Sequence, residues 1–330
     1  MKLTKTDIAE VVIIEPTIFE DERGWFYELY SEPKFHALLR ASNLPVPRPF
    51  IQENCSMSKK GVVRGLHYQL SPSSQGKLVN VSQGAVYDVA VDIRKGSPTF
   101  GQWVGVTLSA ANRKMLWIPE GFAHGFMALE DDTVFQYRTT DTYSKAHERS
   151  LAWDDPDLAI EWPTTAAPVV SEKDRMAPGF AKAEHTNYLI PGKVDIVELE
   201  SHSDDRGSLI GIEKDLNIPF SIRRVYYIFG TQQDVSRGFH AHRDLQQLIV
   251  CVSGSCRMVL DDGRERVEHV IDRPNKAIFV RNMVWREMHD FSEDCVLMVV
   301  ASEVYDERDY IRDYQDFKRL IGNDQHSQII

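Results

Sequence analysis

No stretch of this chain approaches the ~20 consecutive apolar residues that a bilayer-crossing helix needs. The N-terminal apolar run Val11 to Ile14 is too short for the core of a signal peptide. A membrane span and a secretory leader are therefore not expected, and a cytoplasmic location is. Cysteine is scarce. Cys55, Cys251, Cys256 and Cys295 form no CxxC pair and are too sparse for a disulfide framework, so reduced, mostly core thiols are expected. Positive charge is in deficit: 38 Lys and Arg against 49 Asp and Glu leave a formal charge of -11, which argues against a nucleic-acid surface. A nucleotide-diphosphate ligand is not excluded, because one ligand needs only a few local Arg and Lys side chains.

What is present suffices for two cores. The chain has 330 residues, about twice the roughly 150 of a typical domain. Its 42% apolar and 26% charged content is ordinary for globular proteins. The halves also resemble each other. DERG at 21–24 recurs as DDRG at 204–207, and RGLH at 64–67 recurs as RGFH at 237–240. Each RG-x-H is followed by an alternating apolar segment, a glycine and a second such segment, KLVNVSQGAVYDVAVDI at 77–93 and LQQLIVCVSGSCRMVLDD at 245–262.

Alternation of this kind predicts strands with one face buried. In 85–93, Ala85, Tyr87, Val89, Val91 and Ile93 share one face, and Val86, Asp88, Ala90 and Asp92 share the other. Gly84, Gly254 and DDG at 261–263 mark turns. Many short strands with few helices predict an all-β, closed or sandwiched antiparallel architecture, one small barrel per half. Two peripheral helices are expected. One covers 31–44, with Ser31 as N-cap; the other covers 305–322, aligning Tyr310, Tyr314, Phe317 and Ile321. Periodicity lapses over 177–193, which places the domains at 1–185 and 186–330.

At this point two families become recognisable. Residues 5 to 180 resemble dTDP-4-dehydrorhamnose 3,5-epimerase through DERGWFYE, GVVRGLHYQ, QGKLVNVSQGAVYDVAVDIRKGSPTFGQWVG, WIPEGFAHGF and SEKD. Residues 190 to 325 resemble the dTDP-4-oxo-6-deoxy-glucose 3,4-ketoisomerases of 3-amino-sugar pathways through DDRGSL, IPFSIRRVYYIF, RGFHAHRDLQQ, GSCRMVLDDG and DFSEDCVLMVVASEVYDERDYIRDY. Both families are cupins, so the resemblance implies two tandem cupin (jelly-roll) barrels. It further implies that both act on dTDP-4-keto-6-deoxy-glucose or a related dTDP-hexulose without a cofactor. Dimers are usual in both families, so a homodimer is expected.

A 4-keto group acidifies the neighbouring C–H bonds, so epimerisation needs a base on one face, an acid on the other and a positive group at the enolate oxygen. His67, just after Gly65 and on the strand face of Gln69, is the expected base. By analogy with the family, Asp174 holds the imidazole, Tyr137 is the opposing acid, and Lys77 with Arg64 stabilises the enolate. Without the resemblance, Tyr137 would read as a core aromatic. Arg23, Glu28, Gln52, Asn54, His124, Glu148 and Lys173 match the family's ligand-contacting positions, with Arg23 a natural diphosphate partner.

A 3,4-ketoisomerase moves the carbonyl from C4 to C3 through an enediol, for which histidine is a natural proton carrier. His240 and His242, two apart on a strand, aim at one interior. The resemblance makes His240 the base, puts His242 and Tyr227 near the sugar, and makes Arg206 and Arg237 diphosphate or sugar contacts. His-x-His on a barrel strand also suggests iron, manganese or zinc. Against it, Gln246 stands at the glutamate position, Trp285 at the later histidine, and Gln69 at the second histidine of the first barrel, so no metal is expected. Two other readings compete with a bifunctional enzyme. One is a single active barrel with a binding or scaffolding partner; the other is a sugar sensor or metal-dependent oxygenase.

Overall fold

The computed structural model describes residues 1–163, 167–186, 188–190, 192–232 and 234–323. It divides into two compact units, Met1–Thr186 and Asn187–Ile330.

In the first unit two antiparallel sheets enclose the core. One runs, in spatial order, Lys2–Lys5, Val12–Glu15, Met115–Ile118, Lys77–Gln83, Thr133–Thr139 and Gln52–Ser58. The other runs Glu148–Ser150, Val62–Gln69, Phe122–Ala128, Ala85–Asp92 and Trp103–Ser109. Val79, Val81, Leu116 and Phe135 from the first sheet meet Val86, Ala90 and Phe126 from the second. Helix Glu32–Ala41 covers the outside of the first sheet, setting Phe35 and Leu39 on Val12, Ile14, Leu78 and Trp117. Ser31 precedes it in an extended conformation, but its side chain caps no N–H, and a proline presets the first turn instead.

The expectation of one buried face fails for Ala85–Asp92. Val86 and Ala90 face the interior, while Val89, Val91 and Ile93 are covered from outside by Leu151, Leu158, Trp162 and Phe180. The loop segments after Glu148–Ser150 supply a cover that alternation in the strand cannot reveal.

The second unit repeats the plan. One sheet runs Tyr188–Ile190, Val194–Glu198, Lys276–Val280, Gln247–Ser253, Val296–Ala301 and Arg224–Phe229; the other runs Arg266–Ile271, Cys256–Asp261, Trp285–His289, Arg237–His242 and Tyr310–Ile311. Strand for strand this is the order of the first unit, which makes each unit a cupin barrel and the chain all-β with a few peripheral helices. The C-terminal helix is shorter than expected, Tyr314–Asn323, and buries Phe317 against Trp285, Ala241 and Ile311. Asp306 caps a short 3-10 turn at Glu307–Asp309 by accepting the Arg308 N–H. Tyr310–Ile311 then pairs as a strand with Ala241 and His242. The carboxylate of Asp309, which accepts the Asp244 N–H at 2.8 Å, ties this segment to the sheet and keeps it out of the helix.

The RG-x-H repeat has a physical basis. Gly65 and Gly238 hold φ of 112° and 91°. A Cβ at Gly65 would lie 2.7 Å from Gly125 Cα and from the carbonyl oxygen of His124, and one at Gly238 would lie 2.8 Å from the carbonyl oxygen of Arg286. No side chain fits at either place. The strand register slips at both glycines, and this bulge aims the following histidine inward.

Candidate active sites

In the first unit His67 Nε2 lies 2.5 Å from Asp174 Oδ1. The aspartate is 4% exposed and the imidazole 33%, so the pair is anchored in the wall with its histidine open to solvent. Asp174 lies on the short helix Glu172–Arg175, capped by Ser171, and its other oxygen accepts the Gly65 N–H at 3.3 Å. Burial opposes its ionisation, but the hydrogen bonds from His67 and Gly65 bring the carboxyl below its ordinary range. The bulge glycine thus holds the histidine's partner as well as the histidine.

Lys77 is buried beside this dyad, its Nζ donating to the His67 carbonyl at 3.3 Å. Burial lowers its pKa to about 8, against the opposing pull of Asp88 and Glu148. His124 lies directly opposite His67 across the strands and is paired with the fully buried Asp88 at 3.0 Å. Burial pushes this histidine down and this carboxyl up. Tyr137 comes from the facing sheet, 6.0 Å centroid to centroid from Phe135, and burial raises its pKa, which keeps the phenol protonated. Glu148 accepts from Lys173 Nζ at 2.6 Å and from Tyr143 OH at 3.0 Å. Gln52 donates to Asn54 Oδ1 at 3.0 Å, and Arg64 Nε to Ser58 Oγ at 3.0 Å.

Not every expected residue joins this group. Glu28 pairs with Lys34 at 3.0 Å. Arg23 stands at the tip of the exposed hairpin Ile18–Asp21 and Gly24–Tyr27, paired with Asp21 at 2.5 Å. Arg206 repeats this at the tip of Ser201–Asp204 and Gly207–Ile210, paired with Asp204. Arg237 is exposed at the start of its strand.

In the second unit the imidazoles of His240 and His242 meet edge to face at 4.8 Å. His242 is fully buried, and its Nδ1 lies 2.7 Å from Asp309 Oδ2. Burial and the neighbouring Arg286 hold it well below the ordinary histidine range, so the neutral ring donates to Asp309 and leaves Nε2 without a partner among the described residues. His240 lies nearer the surface, with Nδ1 3.0 Å from the Gly238 carbonyl oxygen, and burial with Arg286 lowers its pKa to about 4. Arg286 itself is fully buried. It donates to Gln247 Oε1 and, at 3.0 Å, to the Val284 carbonyl, and no ion pair to it is found among the described residues. Burial lowers even this guanidinium to about 10.

Three expected positions in this barrel are displaced by one residue. Tyr227 points to the outer face and is 58% exposed, whereas Tyr226 turns inward and its hydroxyl oxygen accepts from Gln247 Nε2 at 2.9 Å. Gln247, rather than Gln246, is the residue that reaches Arg286 and Tyr226. At the later-histidine position the residue opposite His240 is Arg286, not Trp285, which packs under the C-terminal helix. In a strand a shift of one residue reverses the face, so each slip exchanged an inward for an outward side chain. Asp88, Asp309, Arg286, Tyr226 and Gln247 were not anticipated from the sequence. Parity along RVYYIF, with Arg224, Tyr226 and Ile228 on one face, carries the signal for Tyr226; nothing local marks Asp309, 67 residues beyond His242.

Among the described residues no group of three or more His, Cys, Asp or Glu side chains is arranged to hold a metal ion. No described helix is long and apolar enough to cross a membrane.

Each unit is a cupin barrel with a carboxylate-held histidine in its wall, and comparison with known proteins gives the class, an isomerase. Residues 5–182 match the family model described as dTDP-4-dehydrorhamnose 3,5-epimerase, and the chain belongs to that family. Residues 192–322 match the FdtA family model, WxcM-like, C-terminal. The chain is 50% identical over 184 residues to the dTDP-4-dehydrorhamnose 3,5-epimerase of Pseudomonas aeruginosa, covering 56% of this chain and 98% of that protein. Its second half is 54% identical over 127 residues to the TDP-4-oxo-6-deoxy-alpha-D-glucose-3,4-oxoisomerase of Aneurinibacillus thermoaerophilus, covering 38% of this chain and 91% of that protein. Among solved structures, the epimerase of Legionella pneumophila in complex with dTDP-4-keto-L-rhamnose superimposes with a TM-score of 0.54 at 47% identity, over 57% of this chain and 99% of that one. The first unit is thus epimerase-like and the second ketoisomerase-like.

Proposed function

We propose that both units are catalytic: the first epimerises a dTDP-4-keto-6-deoxyhexose and the second moves its carbonyl from C4 to C3. The observation that carries this reading is the dyad in each barrel, His67 with Asp174 at 2.5 Å and His242 with Asp309 at 2.7 Å.

In the first barrel His67 takes a proton from the carbon beside the ketone while Asp174 fixes the ring, the division of labour of a histidine–carboxylate pair. Tyr137 supplies a proton from the facing sheet. Lys77, aided by Arg64, offsets the charge on the enolate oxygen, and its burial strengthens that interaction. Gln52, Asn54, His124, Glu148 and Lys173 form the remaining sugar and nucleotide contacts. In the second barrel His240 is the base, His242 its neighbour held by Asp309, and Arg286, which has no ion pair among the described residues, the counter-charge for the enediolate. These proton transfers call for no cofactor.

A homodimer completes the proposal. The hairpin that carries Arg23 exposes Phe19, Trp25 and Phe26, the last at 69%, and Val225, Tyr227 and Phe229 form an exposed strip on the second unit. Apolar surface of this kind suits a second copy of the chain. The guanidiniums of Arg23 and Arg206 at the hairpin tips, with Glu28 and Arg237, are then placed to meet the nucleotide in the partner copy. Proton NMR of the chain with dTDP-4-keto-6-deoxy-glucose tests the reading: inversion beside the ketone and a C3 ketone are both expected, and a chain that yields only one of these products, or neither, contradicts it.

A further inference from the structure

We propose that Gln247 is a positioning residue of the second barrel, a neutral side chain whose amide oxygen holds the Arg286 guanidinium without taking up its charge. The proposal rests on the functional reading above, in which Arg286 offsets the charge of the enediolate, and goes beyond it by naming what keeps that cation both fixed and unneutralised.

The two barrels place buried charge differently at corresponding positions. Lys77 opens its strand in the first unit and pairs in register with Ile118 and Thr139. Gln247 opens the corresponding strand in the second unit and pairs with Val280 and Ala301. Two residues beyond His124, Phe126 pairs with Asp88, the buried partner of that histidine; two residues beyond Arg286, Met288 pairs with Met258. The second barrel thus carries its cation on the other sheet. An amide stands in the place of the lysine, and a thioether in the place of the carboxylate.

Hydrogen-bond chemistry fixes the orientation of the amide. A guanidinium only donates, so Gln247 Oε1 accepts from Arg286 Nη1, and Nε2 donates to the Tyr226 hydroxyl oxygen at 2.9 Å. Both side chains are buried. Arg286 Nη2 donates to the Val284 carbonyl at 3.0 Å, and Nε has no acceptor among the described residues. Each acceptor hydrogen-bonded to the guanidinium is therefore neutral. The other titratable groups acting on it are Tyr226, Tyr310 and Asp309, and the last is engaged by His242 and the Asp244 N–H. A glutamate of the same shape at 247 would form a buried ion pair with Arg286 and cancel much of the field that an enediolate oxygen meets.

His240 senses that field. Arg286, Arg312 and Glu307 act on it, and the rings of His242 and Tyr310 pack against it. A negative charge at 247 should favour its imidazolium, whereas loss of the amide without a new charge should not.

Gln247→Glu and Gln247→Met are compared with the intact chain for ketone migration on dTDP-4-keto-6-deoxy-glucose, followed by NMR as a function of pH. Gln247→Glu should lower kcat at least about tenfold with KM little changed, and should move the acid limb of kcat/KM upward. Gln247→Met, which cannot hold Arg286, should also lower kcat but leave the acid limb in place. Ring-proton titration of His240 in the substrate-free proteins should show the same upward shift with glutamate and none with methionine. Migration at the intact rate in either variant, or a limb and a ring titration that respond alike to glutamate and methionine, overturns the proposal. If one variant does not fold, the other decides by its own rate and titration; if neither folds, Gln247 serves the fold alone and the proposal falls. An intact chain that forms no C3 ketone defeats the functional reading instead, and the ring titration then still decides whether position 247 controls the charge beside His240.

Discussion

Arg286 stands across the strands from His240 in the position where His124 stands across from His67. The exchange replaces a histidine that shares its charge with Asp88 by a fully buried cation with no ion-pair partner among the described residues. Burial disfavours the imidazolium, the fixed positive charge beside it adds to that, and together they bring His240 to about 4 from the ordinary 6.5.

The acid limb of ketoisomerisation should follow. A base works when neutral, and a lowered pKa keeps His240 neutral further into acid, so kcat/KM for carbonyl migration is expected to stay level from about pH 7 to about pH 5. Arg286→Met should slow the reaction and move the limb up toward the ordinary histidine value of 6.5. Initial-rate pH profiles of the two proteins check both effects.

Lys77 predicts the opposite limb for the first unit. It stabilises the enolate only while protonated, so epimerisation measured as kcat/KM should fall as pH rises past about 8, where burial has placed its pKa. Lys77→Arg keeps its charge at all accessible pH and should give a slower enzyme without that alkaline fall.

Removing the carboxylate partners separates positioning from proton transfer. Asp174→Asn is expected to lower C5 exchange by about 10²–10⁴ while leaving ketone migration in place. Asp309→Asn, which reaches the proposed base only through the ring of His242, should lower migration by at least about tenfold and leave C5 exchange in place. Each is measured by NMR on the same protein sample, so that loss of both activities would signal misfolding.

The bulge glycines should be intolerant of any side chain. Gly65→Ala and Gly238→Ala set a Cβ 2.7 and 2.8 Å from opposing backbone atoms at positive φ. Overpacking of this kind costs about 1–3 kcal/mol, visible as a lowered midpoint in denaturant and as loss of activity from the unit that carries the change.

Much of this was legible in the sequence because it is periodic. The repeat of DERG with DDRG and of RGLH with RGFH corresponds to two hairpin tips and two bulges in sheets of the same strand order. The inward aim of His67 and of His240 with His242 follows from strand parity. Parity also explains the misses: Tyr227, Gln246 and Trp285 are each one residue from the side chain that faces inward; at Tyr226–Tyr227 and Gln246–Gln247 the two neighbours are identical, so only the parity of the whole strand separates them, and at Trp285–Arg286 the apolar residue is the one expected inside. Asp309 and the two-sided burial of Ala85–Asp92 depend on distant segments folding back, which no local pattern encodes.

The most direct test of two separate proton-transfer sites is deuterium incorporation into dTDP-4-keto-6-deoxy-glucose by the His67→Asn and His240→Asn variants. His67→Asn should abolish label at C5 and still form a C3 ketone, and His240→Asn should form no C3 ketone and still label C5. Either substitution erasing both signals in a folded protein would contradict the account.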